Sequence, residues 1–115
     1  MKEKLPAPPK DLAPETRTWW SEIVNEYVLE SSHLRLLTMA CRAWDRGEAA
    51  RLVVRKHGLT FRDDHGVIRP RPEIVIERNS AILFARLLRE LRLTNTQPDD
   101  DERIPRNEAS PRRGR

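Results

Sequence analysis

Three arginines carry the clearest chemical signal in this chain. Arg35, Arg42 and Arg46 fall within about 40° of one another on a helix that turns 100° per residue, and Asp45 is the nearest acid. A one-sided cationic row on a rigid helix has the electrostatic footprint of a phosphate-binding surface. It also has that of an ordinary solvated face, and charge alone leaves both readings open. Arg62 and Arg69 add two further cations beside a short turn, whereas Arg51 and Arg55 lie on another side near Glu48 as intrahelical partners. Other chemistry finds little support. The glycines Gly47, Gly58, Gly66 and Gly114 form no phosphate-cradling loop, and His33, His57, His65 and Cys41 show no zinc-ligand spacing. Asp63-Asp64-His65 offers the parts of a histidine-centred nuclease, yet a turn rich in Asp and Gly is expected on backbone grounds alone. The residues therefore predict no catalytic group, no metal site and no cofactor.

The elements that must position these side chains are legible in the hydrophobic spacing. Pro14 suits the first position of a helix, where its missing N–H costs nothing. Residues 15–29 then place Trp19, Trp20, Ile23, Val24, Tyr27 and Val28 on one broad face. Ser31 and Ser32 interrupt the pattern and offer N-caps to a second helix, running from His33 to about His57 with Gly58 as its stop. One side of that helix carries Leu36, Ala40, Ala43, Gly47, Ala50 and Val54; the small members would let a neighbouring helix approach closely. An adjoining strip carries Leu34, Leu37, Cys41, Trp44 and Leu52. Trp19 and Trp44 read as core, while Trp20, at the edge of its stripe, reads as a subunit-interface residue. Residues 59–62 and 67–69 flank a turn closed by Gly66, which predicts a β-hairpin. Pro72 opens a third helix to about Arg92, with Ala81, Leu83, Phe84, Leu87, Leu88 and Leu91 as its apolar stripe. The fold class is therefore mainly α: a helical hairpin with its first two helices antiparallel, a short β-hairpin and a third helix.

With 115 residues there is room for one small domain. Residues 1–12, with Pro6, Pro8 and Pro9, read as an extended arm, 13–94 as the folded domain and 95–115 as a charged tail. Only Ile104 and Ala109 are aliphatic in that tail, too few to offset the entropy of ordering it. Lys and Arg outnumber Asp and Glu by 22 to 18, which makes the chain mildly basic. No apolar run approaches the ~20 residues that span a bilayer, the N-terminus lacks a signal core, and the lone Cys41 fits a reducing compartment. These features predict a soluble intracellular protein. Helices two and three carry more apolar surface than a small monomer can cover, so the chain is expected to self-associate. The surface named for this is Trp20, Phe84, Leu87, Leu88 and Leu91.

In order along the chain, these features resemble the small subunit of phage terminase. The resemblance spans about Leu5 to Thr94: the Pro-rich arm and Leu12 before a helix with Trp19 or Trp20, Leu34 to Cys41 in a long Ala-bearing helix, and His57-Gly58-Leu59. It continues with the hairpin at Gly66, Pro72 opening a helix, and Leu88-Arg89-Glu90-Leu91-Arg92-Leu93-Thr94. Two residues depart from the pattern: His33 stands where an acid would open the second helix, and Arg92 where the family often has Gly. The resemblance implies a non-catalytic ring in the host cytoplasm that binds viral double-stranded DNA and loads the large subunit bearing the ATPase and nuclease. In that setting Arg35, Arg42, Arg46, Arg62 and Arg69 become the DNA contacts, and Asp99, Asp100, Asp101, Arg103 and Arg106 of the tail become the docking segment for the large subunit. The alternative is a small dimeric helix-turn-helix regulator of DNA, although a second helix of some 25 residues is long for a recognition helix. A structural phage adaptor that never touches DNA is the third.

Overall fold

The computed structural model describes residues 4–93. Helix α1 spans Pro14–Glu26, α2 Ser31–His57 and α3 Pro72–Leu91, with strands β1 (Thr60–Arg62) and β2 (Ile68–Pro70) between α2 and α3. The strands pair antiparallel in the register Thr60 with Pro70, Phe61 with Arg69 and Arg62 with Ile68. Gly66 takes φ 77° in the connecting turn, where the carboxylate of Asp63 accepts the N–H groups of His65 and Val67, each at 2.9 Å. This mainly helical architecture is the one the hydrophobic spacing predicts.

Contacts along the helices fix their directions. Ala13 and Thr16 of the α1 entry meet Asp45, and Trp20 meets Thr38, so α1 runs antiparallel to α2. Trp44 meets Phe84 and Gly47 meets Ser80, so α3 also runs antiparallel to α2. A Cβ built on Gly47 would sit 3.2 Å from Cβ of Ser80. Ala40, Ala43 and Ala50 are buried along the same α2–α3 seam, which is the close approach that the small residues imply. The main core lies at the other end, where Leu12, Trp20, Ile23, Val24, Tyr27, Leu37, Cys41 and Leu91 cluster. Burial pushes the Cys41 thiol up to about 12, with nearby Asp45 adding to the effect, so this cysteine stays a protonated packing group.

Three expectations are corrected. Helix α1 stops at Glu26, because Tyr27 turns extended (φ −125°, ψ 152°) and so brings its phenol to donate to the Leu93 carbonyl at 2.7 Å. Helix α2 starts at Ser31 rather than His33, with Glu30 as the N-cap in place of a serine. There His33 takes the role that Glu or Gln plays in a capping box: its Nδ1 accepts the Glu30 N–H at 3.4 Å. Trp44 is 47% exposed while Trp20 is 3% exposed, reversing the roles read from the spacing. The cause is the position of α1, which begins level with Asp45, so that Trp44 lines an open groove at the N-terminal edge of α1 with Glu15, Thr16 and Trp19 instead of lying beneath the helix. The second unusual residue, Arg92, sits in the left-handed region (φ 55°, ψ 52°) at the end of α3. That is the conformation glycine adopts most cheaply at a helix stop, and arginine holds it here.

Candidate nucleic-acid interface

The solvent-facing side of α2 carries Arg35, Arg42 and Arg46 together, all exposed, as their spacing requires. Their electrostatic states differ. Arg42 forms a bidentate pair with Asp11 of the arm, Nε to Oδ2 at 2.9 Å and a second guanidinium nitrogen to Oδ1 at 3.0 Å. Its charge is compensated, and the pair pins the arm whose next residue, Leu12, is buried in the core. Asp45, the acid nearest the row in sequence, turns the other way. Its carboxylate accepts the Ala13 N–H at 2.8 Å and the Thr16 hydroxyl at 2.6 Å, tying the start of α1 to α2. Arg35 and Arg46 therefore remain as cations with no acidic partner among the described residues.

The Arg42 guanidinium holds the Asp11 carboxyl below its ordinary value of 3.8, and Arg69 does the same to Asp63 in the hairpin, assisted by the Val67 N–H. A carboxylate whose value is lowered on folding contributes stability that is present above its unfolded value and is lost as pH falls through the folded one. The contribution of this pair to docking of the arm is therefore expected to be full above about pH 5 and to decay below about pH 4. Protease cleavage within residues 4–12 measures it. Asp11→Asn should raise cleavage of the arm at neutral pH a few-fold, the worth of one exposed pair, while buried Leu12 keeps its end docked, and leave the hairpin, governed by Asp63, unaffected.

The two hairpin arginines are held apart from this row. Arg62 donates to the Gly66 carbonyl at 3.0 Å and Arg69 pairs with Asp63. Both lie beyond the C-terminus of α2, about 33 Å along the helix from Arg35 at 1.5 Å per residue. Arg71, unremarked in the sequence, organises that junction. It donates to the carbonyls of Gly58 (2.9 Å), His57 (3.2 Å) and Thr60 (3.0 Å), capping the C-terminal end of α2 and joining it to β1. Its guanidinium also lies over the Phe61 ring, 5.9 Å from the centroid. No sequence signal marks this role, because its acceptors are backbone carbonyls.

The side chains named for self-association divide in the same way. Trp20, Leu87 and Leu91 are buried inside the chain, Trp20 with its indole N–H donating to the Thr38 hydroxyl at 3.1 Å. They are core residues with little surface left for a second copy. Phe84 and Leu88 are partly exposed, and Phe84 forms an aromatic cluster with Trp19 (centroids 6.1 Å apart) and Trp44 (5.1 Å). Asp99, Asp100, Asp101, Arg103 and Arg106 lie outside the described residues. Among the described residues no group of His, Cys, Asp or Glu is arranged to hold a metal ion, and no helix is long and apolar enough to cross a membrane.

Fold and surface together define a small helical protein with a cationic helix face. The family "phage terminase, small subunit" matches residues 16–104. That is most of the chain, and the protein belongs to this family. Membership supports a role in phage genome packaging, in a family that is generally the non-catalytic partner of the terminase. No curated protein and no solved structure matches the chain.

Proposed function

We propose that this protein is the non-catalytic DNA-recognition subunit of a phage packaging terminase, binding viral double-stranded DNA as a closed homo-oligomeric ring and recruiting the large ATPase-nuclease subunit. The observation that carries the DNA contact is the pair Arg35 and Arg46, exposed on one face of a rigid helix with no acidic partner among the described residues. Arg42 lies between them and joins the row when a phosphate replaces Asp11. A ring repeats the row in every subunit, so weak contacts add through multivalency. Such contacts position a duplex without reading its sequence, and site preference then rests on duplex shape and bending. The hairpin arginines Arg62 and Arg69 extend the same surface only where the duplex follows the length of α2. The tail segment containing Asp99, Asp100, Asp101, Arg103 and Arg106 is the docking element for the large subunit.

Native mass spectrometry of the full chain tests this reading. The expected spectra are a homo-oligomer for the chain alone, an added mass with duplex DNA, and a further complex with the large subunit. Truncation after Thr94 should remove the large-subunit complex and keep the oligomer. A chain that stays monomeric and takes up neither partner would refute the proposal.

A further inference from the structure

Two surfaces of this chain match each other in charge and in the spacing of their side chains. The first is an open groove of about 370 Å³ lined by Glu15, Thr16, Trp19, Trp44 and Phe84. Along its α1 edge stand Glu15, Glu22 and Glu26, all exposed, within about 40° of one another at 100° per residue. The second is the outer face of α3, on the side opposite the buried Ser80, Leu87 and Leu91. It presents Arg78, Arg86 and Arg89 around Ile82, 49% exposed, and Val75, 46% exposed. None of these three glutamates or three arginines has an ionic partner among the described residues.

We infer that these surfaces are the two halves of one subunit contact, with the α1 edge and aromatic groove of one copy receiving the outer face of α3 from the next. The inference rests on the oligomeric reading above and specifies its interface. Spacing supports it. Glu15, Trp19, Glu22 and Glu26 lie 0, 4, 7 and 11 residues along α1, and Arg78, Ile82, Arg86 and Arg89 lie 0, 4, 8 and 11 along α3. Laid side by side in parallel, the two ladders stay in step to within one residue, about 1.5 Å of rise, over a span of about 16 Å. Each glutamate then meets an arginine, and Ile82 meets Trp19 at the apolar groove.

Direction agrees as well. Within one chain α1 and α3 run parallel, because Trp19 meets Phe84 and, further along both, Tyr27 meets Leu93. Rotation about an axis along the helices preserves that sense, so a ring built about such an axis seats the two helices in parallel. The two halves are different surfaces, so each copy has one of each to offer, and repetition closes a ring where the rotation between copies divides a full turn. An exposed aromatic groove and an exposed apolar strip on one small chain are both covered by this single contact.

Charge reversal tests it on the full-length chain. Glu22→Arg with Glu26→Arg, or Arg86→Glu with Arg89→Glu, should each weaken assembly about 30-fold, as two exposed pairs turn from attraction to repulsion. Mixing the two reversed proteins should restore assembly with alternating subunits, measured by light scattering. Restoration shows that both variants are folded, and unchanged circular dichroism melting checks each alone. Reversed variants that assemble like the unmodified chain, or a mixture that stays dissociated, would overturn the inference and leave the ring reading standing. Reversal at Arg86 and Arg89 that spares assembly and abolishes duplex binding would also overturn it, by making the strip a phosphate surface. An unmodified chain that is monomeric would remove the ring reading and this contact together.

Discussion

Trp20→Ala is expected to cost about 3–5 kcal/mol, the range for deleting a large aromatic from a packed core. Trp20 is 3% exposed and packs in the cluster that joins α1 to the N-terminal half of α2. A domain of this size has a total stability of roughly 5–13 kcal/mol, so one substitution removes a large share of it. The loss should appear as a fall in melting temperature of more than about 10 °C, independent of protein concentration. Trp20→Phe keeps most of the buried ring, loses the hydrogen bond to Thr38 and should cost about 1–2 kcal/mol. A variant that melts like the unmodified chain but fails to assemble would return Trp20 to the interface where its sequence position first placed it.

The second large effect concerns the α2–α3 seam. Gly47→Leu should destabilise the fold by about 2–3 kcal/mol, because the larger side chain has to displace α3 at Ser80. Gly47→Ala makes the mechanism specific. It removes a helix-interior glycine, a gain of about 1 kcal/mol, and places a methyl group 3.2 Å from Ser80 Cβ, a contact that a small shift relieves. The alanine variant is therefore expected to melt within about 5 °C of the unmodified chain and the leucine variant well below it. Equal melting of all three proteins would mean that the seam is looser than its geometry indicates.

Periodicity alone made the three helices and the hairpin legible, because the apolar positions of α1, α2 and α3 recur at helical spacing and Pro14, Gly58, Gly66 and Pro72 punctuate them. The distribution of burial along one stripe was not legible. Leu37 and Trp44 lie on the same strip of α2, yet one is fully buried and the other 47% exposed, since the first packs into the core with Trp20, Ile23 and Val24 and the second lines the open groove at the start of α1. Spacing within a helix says which side chains share a face; where the neighbouring helix starts decides which of them it covers. The basic row shows the same division. That Arg35, Arg42 and Arg46 share a face follows from 100° per residue. That Asp11 compensates Arg42 while Asp45 turns away follows from contacts across 29 or more residues of chain, which no local pattern encodes. His33 and Arg92, the two departures from the family pattern, are accommodated without a change of fold. One accepts the capping hydrogen bond expected of an acid, and the other adopts the left-handed conformation expected of glycine.

The central claim, that α2 presents phosphate contacts to duplex DNA, is tested most directly by the salt dependence of binding. The unmodified chain and an Arg35→Gln, Arg42→Gln, Arg46→Gln variant are titrated with the same duplex over a range of salt, and log K is plotted against log salt concentration. Each phosphate contact contributes a slope of about −0.9, so the variant's slope should be shallower by about two to three per bound subunit. Its loss of affinity should be similar on specific and unrelated DNA, because backbone contacts carry no sequence information. Equal affinities and equal slopes for the two proteins, with the oligomer intact in both, would contradict the claim and reduce the arginine row to a solvated helix face.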